Sequence, residues 1–184
     1  QKGHDVDIFA HGHGPSFHLP HKDKVLQHHR ISHFVSSKLD DVYRTHSLIT
    51  DPWIRKYETD RYSYELAALY FNLSQYDLIH TQDVVSTYAM ARFKPKHMPL
   101  VATIHGSITR ESGISRKQNP TLWNYYKTLE QIGARSSDIT LTPTHWLKKL
   151  LVRDFAVSSH HLTVIPYGMD VQTFRDRALE PTDL

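Results

Sequence analysis

Short apolar runs separated by longer stretches of helical period constrain this chain more than any other feature. Residues 6–10, 77–80, 100–104, 138–141 and 162–165 are brief runs rich in Val, Ile and Leu, each of strand length. Between them, residues 60–75 carry Tyr62, Leu66, Leu69, Tyr70 and Leu73 at spacings of three and four, the mark of a helix with one apolar face. Residues 84–93 suit a helix stopped by the Lys94-Pro95 step, and residues 121–136 place Leu122, Tyr125, Tyr126, Leu129 and Ile132 on one side. Thr144 can cap a helix over 145–155, with Leu147, Leu150 and Leu151 inward. Gly12, Gly14, Pro15 and Pro20 mark a loop, and residues 30–36 read as a further short strand. The order βαβαβαβαβ predicts an α/β fold: a Rossmann-like, mostly parallel, doubly wound sheet with right-handed crossovers.

Composition narrows the function classes. The chain of 184 residues is long enough for one domain with a real core. A complete eight-fold barrel needs about 250. With no cysteine, thiolate catalysis, disulfide frameworks and cysteine-bound zinc are excluded. Mean hydropathy of −0.50 and the lack of a long apolar run exclude a spanning helix. A net charge of +3, spread along the chain, is too weak to argue for nucleic acid. Histidine is unusually frequent at 15 residues, which raises the rate of chance motif matches.

In an open parallel sheet, ligands bind outside the carboxyl ends of the strands. That rule singles out His11 and Gly12, residues 80–83, His105-Gly106-Ser107, residues 142–144, and Tyr167-Gly168-Met169-Asp170, and expects them on one edge. His105 follows Val101-Ala102-Thr103-Ile104 and precedes Gly106, so an imidazole stands at a strand tip beside a residue that admits close approach to the backbone. His80 has a similar place, and Asp83 reads as a helix cap. His11-Gly12-His13 places two imidazoles on one side of an extended strand, but no third ligand lies at a recognised spacing, so no metal is assigned. Arg110, Arg116 and Lys117 lie in a long polar loop next to His105, the kind of loop that often binds ligands. The Thr144-His145-Trp146-Leu147-Lys148-Lys149 stretch reads first as a sheet-covering helix; its basic face and Trp146 also suit peripheral contact with an anionic membrane.

Taken together, Lys2-Gly3-His4-Asp5-Val6, Tyr76-Asp77-Leu78-Ile79-His80, Leu100-Val101-Ala102-Thr103-Ile104-His105-Gly106 and Val164-Ile165-Pro166-Tyr167-Gly168-Met169-Asp170 resemble, in order and spacing, the amino-terminal half of family 4 glycosyltransferases. The Leu129-Glu130 helix and the Ser137-Asp138-Ile139 strand look like that family too. The resemblance implies one half of the GT-B architecture, two Rossmann-like domains facing a cleft, and transfer of a sugar from a nucleotide-sugar with retention and without a metal or other cofactor. By this likeness His105 matches the histidine that contacts the transferred sugar. Gly106, Ser107, His80, Arg110 and Gly168 become the expected substrate-binding residues. The usual Asn after Pro166 is Tyr167 here, which leaves Gly168 as the better match.

The same likeness expects residues 1–174 to be an acceptor-side domain lacking its first strand and helix, and 175–184 to begin a linker towards a carboxy-terminal nucleotide-sugar domain. The expected partners are the nucleotide-sugar, an acceptor and that second domain, in the cytoplasm with peripheral membrane association; the piece alone is expected to be inactive. Two other classes compete: a metal-dependent hydrolase using His11 and His13, and a non-catalytic half of a split transferase.

Overall fold

The structure, a computed structural model, describes residues 3–9, 16–19, 24–46, 51–70, 73–168, 171–172 and 175. Its centre is a parallel sheet of four strands in chain order, formed by β3 (Ile79–Thr81), β4 (Leu100–Thr103), β5 (Ile139–Thr142) and β6 (Leu162–Val164). The registers Ile79↔Leu100, Val101↔Ile139 and Thr140↔Leu162 fix how the strand ends align. The helices α3 (Val84–Phe93), α5 (Pro120–Arg135) and α6 (His145–Phe155) cross between the strands, and the short α4 (Ile108–Glu111) follows β4. This is the α/β, Rossmann-like arrangement that the alternation of runs predicts.

Alternating side chains decide which face of the sheet is dry. Ala102, Ile104 and Leu162 join Val84, Leu129, Ala134, Leu147, Leu150, Leu151, Phe155 and Val157 in one buried cluster beneath α3, α5 and α6. Ile139 and Thr163, one step along their strands, stay exposed. The helices α3 and α5 meet closely because Gly133 has no side chain; a Cβ there would lie 2.6 Å from the Val84 Cβ. Caps set the helix starts: Asp83 Oδ1 accepts from the amides of Val85 at 2.7 Å and Ser86 at 2.8 Å, and Thr144 Oγ1 accepts from Leu147 at 3.1 Å.

Four expectations need correction. Residues 3–9 form no strand; they have no ladder partner among the described residues and are held by Phe9 against Tyr64 at 4.6 Å and by the Tyr76 hydroxyl donating to Asp7 Oδ2 at 2.6 Å. Residues 30–36 belong to the helix α1 (His28–His46), because Ile31, Val35 and Leu39 recur every four residues and only Val35 is fully buried. The helix expected over 60–75 is α2 (Pro52–Ala68), started by the Asp51 cap and Pro52 and followed by a 3-10 turn at Leu73–Gln75. Within the stretch expected to be loop, β1 (Ser16–Leu19) pairs antiparallel with β2 (Lys24–Gln27).

Helix α2 packs on α3 and α5, with α1 outside it, and its buried face carries charge. Arg61 donates to Glu65 Oε1 at 2.5 Å and to Glu58 Oε2 at 2.6 Å, and its guanidinium lies 3.9 Å from the Tyr62 ring centroid and 4.7 Å from that of Tyr88. The Tyr125 hydroxyl of α5 donates to Glu58 Oε1 at 2.6 Å. Burial, with Glu58 beside it, pushes the Tyr43 phenol up to about 12. The helix layer is thus joined by a buried ionic knot as well as by apolar contact.

Candidate functional site

The carboxyl edge of the sheet collects residues that are far apart in sequence. His105 leaves β4 exposed, with both ring nitrogens engaged. Nε2 lies 3.0 Å from Gln82 Oε1, an oxygen that can only accept, so Nε2 carries the proton. Nδ1 therefore accepts from the Tyr167 hydroxyl, whose ring stacks on the imidazole with centroids 5.7 Å apart and planes inclined by 16°. His80 Nε2 lies 2.8 Å from the Thr103 hydroxyl, and the Gln82 amide nitrogen makes a longer contact of 3.4 Å to the same atom. Five side chains, His80 and Thr103 on β3 and β4 and Gln82, His105 and Tyr167 past the ends of β3, β4 and β6, are thus linked in one chain of hydrogen bonds.

Burial, reinforced by the nearby His105, lowers the His80 pKa, so His80 is neutral at neutral pH. The unfolded chain then binds a proton at His80 more readily than the folded one below about pH 6.5, and stability falls as pH drops through that window. His80→Gln is expected to flatten this slope: the difference between variant and parent should shift in favour of the variant from about pH 7 to about pH 5. Denaturant midpoints at the two pH values measure it, and parallel slopes would refute it.

The sequence candidates separate into groups. His80 and His105 are linked through Gln82 on the strand edge, and His105 meets Tyr167, the residue before Gly168. Gly168 is exposed, with open space where a Cβ would lie. Gly106 has a structural reason: the Glu111 carboxylate crosses the space its side chain would fill and accepts from the Ser107 amide at 3.1 Å. Ser107 requires correction as a ligand-facing group, because it is only 2% exposed and caps α4 through Arg110 N. Arg110 also points elsewhere, pairing with Asp154 at 2.7 Å. Residues 142–144 serve packing and the α6 cap. His11 and His13 lie outside the described residues, and among the described residues no group of three or more His, Asp or Glu could hold a metal.

The loop is anchored from below by Glu130. This carboxylate is 1% exposed and accepts from the Thr109 amide at 3.2 Å and from the Thr109 hydroxyl. Burial raises its pKa, and the bonds from Thr109 oppose that rise. Gln82 and Tyr167 lie in the strand-end stretches that the sequence points to, but neither is among the expected substrate-binding residues. Position past a strand is the sequence signal for both; the departure of Tyr167 from the family pattern points away from its side chain.

A groove of about 1580 Å³ opens beside this network, lined by residues 3–9, Tyr57, Tyr64, His80, Gln82 and Asp83 among others. His105 stands outside it, and the two share His80 and Gln82 as a border.

Against this geometry the comparisons are specific. The profile of Glycosyltransferase Family 4 matches residues 1–173. The chain belongs to glycosyltransferase family 4. An MMP alpha-(1->4)-mannosyltransferase of Mycolicibacterium hassiacum is 28% identical over 109 residues, 55% of this chain and 26% of the relative. The chain thus spans about a quarter of that relative's length. As a family 4 member it is a glycosyltransferase-family domain. No described helix is long and apolar enough to cross a membrane.

Proposed function

We propose that this glycosyltransferase chain is the acceptor-side half of an enzyme that moves a hexosyl group from a nucleotide-sugar to an acceptor hydroxyl with retention. A second Rossmann-like domain, in the same or a partner chain, supplies most nucleotide contacts. The observation that carries this reading is His105, an imidazole at a strand tip whose Nε2 bonds Gln82 and whose Nδ1 meets an exposed hydroxyl. A sugar hydroxyl can take the place of the Tyr167 hydroxyl on Nδ1, which orients the transferred ring without a charged group.

The chemistry then asks little of the protein beyond placement. The bond from the anomeric carbon to the leaving phosphate breaks, the acceptor oxygen bonds the same face of that carbon, and the departing diphosphate takes the acceptor proton. Holding the acceptor hydroxyl beside the departing phosphate supplies much of the rate. Neither a metal nor another cofactor enters. The groove beside His80 is where we place the acceptor, and the exposed Trp146 and Lys149 of α6 are the surface we assign to peripheral membrane contact. Nucleotide-sugar supply puts the enzyme in the cytoplasm on this reading.

The test assays the chain together with its nucleotide-binding half against a panel of nucleotide-sugars, a mannosyl donor first, and reads the product's anomeric proton by NMR. The donor's anomeric configuration is expected in the product, with turnover unchanged by EDTA. Inversion would overturn the retaining reading, and loss in EDTA with recovery on zinc would favour the hydrolase class. The chain assayed alone is expected to be inactive; turnover by it alone would overturn the half-site reading.

A further inference from the structure

Away from the strand edge, a cavity of about 570 Å³ opens between the segment after α4, the start of α5 and the end of α6. Four cations line it, Arg110, Arg116, Lys127 and Arg153, against one carboxylate, Asp154. The whole chain carries a net charge of only +3, so this one cavity holds as much surplus as the entire molecule. His80, His105, Gly106 and Ser107 do not line it.

The charges inside the cavity are unevenly satisfied. Asp154 accepts from Arg153 at 2.5 Å and 3.0 Å and from Arg110 at 2.7 Å, and these guanidiniums hold its carboxyl far below the usual carboxylate range. One anion is therefore shared between two cations. Arg116 and Lys127 have no carboxylate partner among the described residues. Both stand over the Trp123 ring instead, 5.9 Å and 5.3 Å from its centroid. Two like charges on one indole repel each other, and the ring offsets only part of that.

The segment that carries Arg116 is built rather than loose. Gln118 Oε1 accepts from the Ser115 amide at 2.9 Å and its hydroxyl at 2.8 Å, and Asn119 caps α5 while its Nδ2 donates to Asp51 Oδ2 at 2.8 Å. The fold thus holds two unpaired cations beside an aromatic floor.

We infer that this cavity binds a phosphate group, with Arg116 and Lys127 as its charged walls and Trp123 as its floor. A guanidinium fork matches two phosphate oxygens, and an ammonium adds a point charge from a second direction. A phosphate group, with one or two negative charges, is an anion that two unpaired cations attract. The same chemistry is offered by a soluble phosphate ester and by an anionic lipid headgroup. This site goes beyond the transfer reaction and does not depend on the role given to His105.

The experiment has two arms on the full chain at low salt. Inorganic phosphate is titrated by calorimetry, and vesicles of phosphatidylcholine with or without phosphatidylglycerol are tested by flotation. Saturable binding of one phosphate, weakened about tenfold or more in Arg116→Glu/Lys127→Glu, supports the site with a soluble source. Flotation only with phosphatidylglycerol vesicles, lost in the same variant, supports it with a lipid source. Should the charge reversal lower the melting temperature, Arg116→Ala/Lys127→Ala replaces it. Equal binding by parent and variant in both arms, or none by either, overturns the inference.

Discussion

His105→Ala is expected to lower turnover by about 10²-fold or more in the assembled enzyme, the range in which positioning groups act. The fold should survive, because the imidazole is exposed and its contacts are the exposed Gln82 and Tyr167 rather than the core. Steady-state kinetics with a melting curve separates the two effects. Tyr167→Phe keeps the stacked ring and removes only the hydroxyl, so it should cost less than the loss of the imidazole. His11→Ala should leave turnover nearly intact, since no metal is assigned there. Equal small losses in His105→Ala and His11→Ala would demote His105 to a structural histidine.

The largest stability effect is expected at Arg61. Its side chain is 4% exposed and bridges Glu58 and Glu65, whose side chains are 16% and 5% exposed. Arg61→Met fills similar space but leaves the Glu58 and Glu65 carboxylates without their shared cation, with the half-exposed Arg92 at 3.4 Å from Glu65. Removing one partner of a buried ion pair typically costs about 3–5 kcal/mol. Urea unfolding should show a loss of that size at neutral pH.

The sign of its pH dependence follows from Glu65. Burial already raises its carboxyl above the ordinary value although Arg61 opposes the rise, and the variant removes that opposition. A folded carboxyl with a raised pKa destabilises the protein above that pKa, so the deficit of Arg61→Met should shrink as pH falls towards the acid range. Glu65→Leu added to Arg61→Met should recover part of the loss. A deficit below about 1 kcal/mol that ignores pH would show that the knot contributes little.

What could be read from the sequence follows from how local each signal is. Helices α3 and α6 start and stop where the residues indicate, because Asp83 and Thr144 are caps whose partners lie two or three residues away. The strands β3 to β6 fall within a residue or two of the apolar runs that mark them. Helix α1 defeats the expectation of a strand over 30–36 because its apolar residues recur at a spacing of four, which is helical. Residues 3–9 carry a strand pattern in Val6 and Ile8, yet a strand needs a ladder, and neither residue is buried.

The site divides in the same way. Strand-end position accounts for His80 and His105 meeting on one edge through Gln82. The bond from Tyr167 to His105 spans 62 residues and depends on how the β6 loop returns, which no local pattern encodes. Ser107 looked like a cleft residue because it follows Gly106; only the backward fold of α4, with Glu111 reaching its amide, turns it inwards. Arg110 was drawn away by Asp154, a partner 44 residues later.

The chain-order sheet also bears on how the molecule assembles. Since β3, β4, β5 and β6 are neighbours in the order they are synthesised, no pairing skips a strand. Each new strand meets an edge that is already complete, and the loop to be closed is one crossover at a time. The entropy of closure is therefore met in small steps rather than one long one. Assembly can proceed from β3 towards β6 as the chain emerges, with each crossover helix drying the strand just added; the histidine edge then closes only when Tyr167, past the final strand, reaches back to His105.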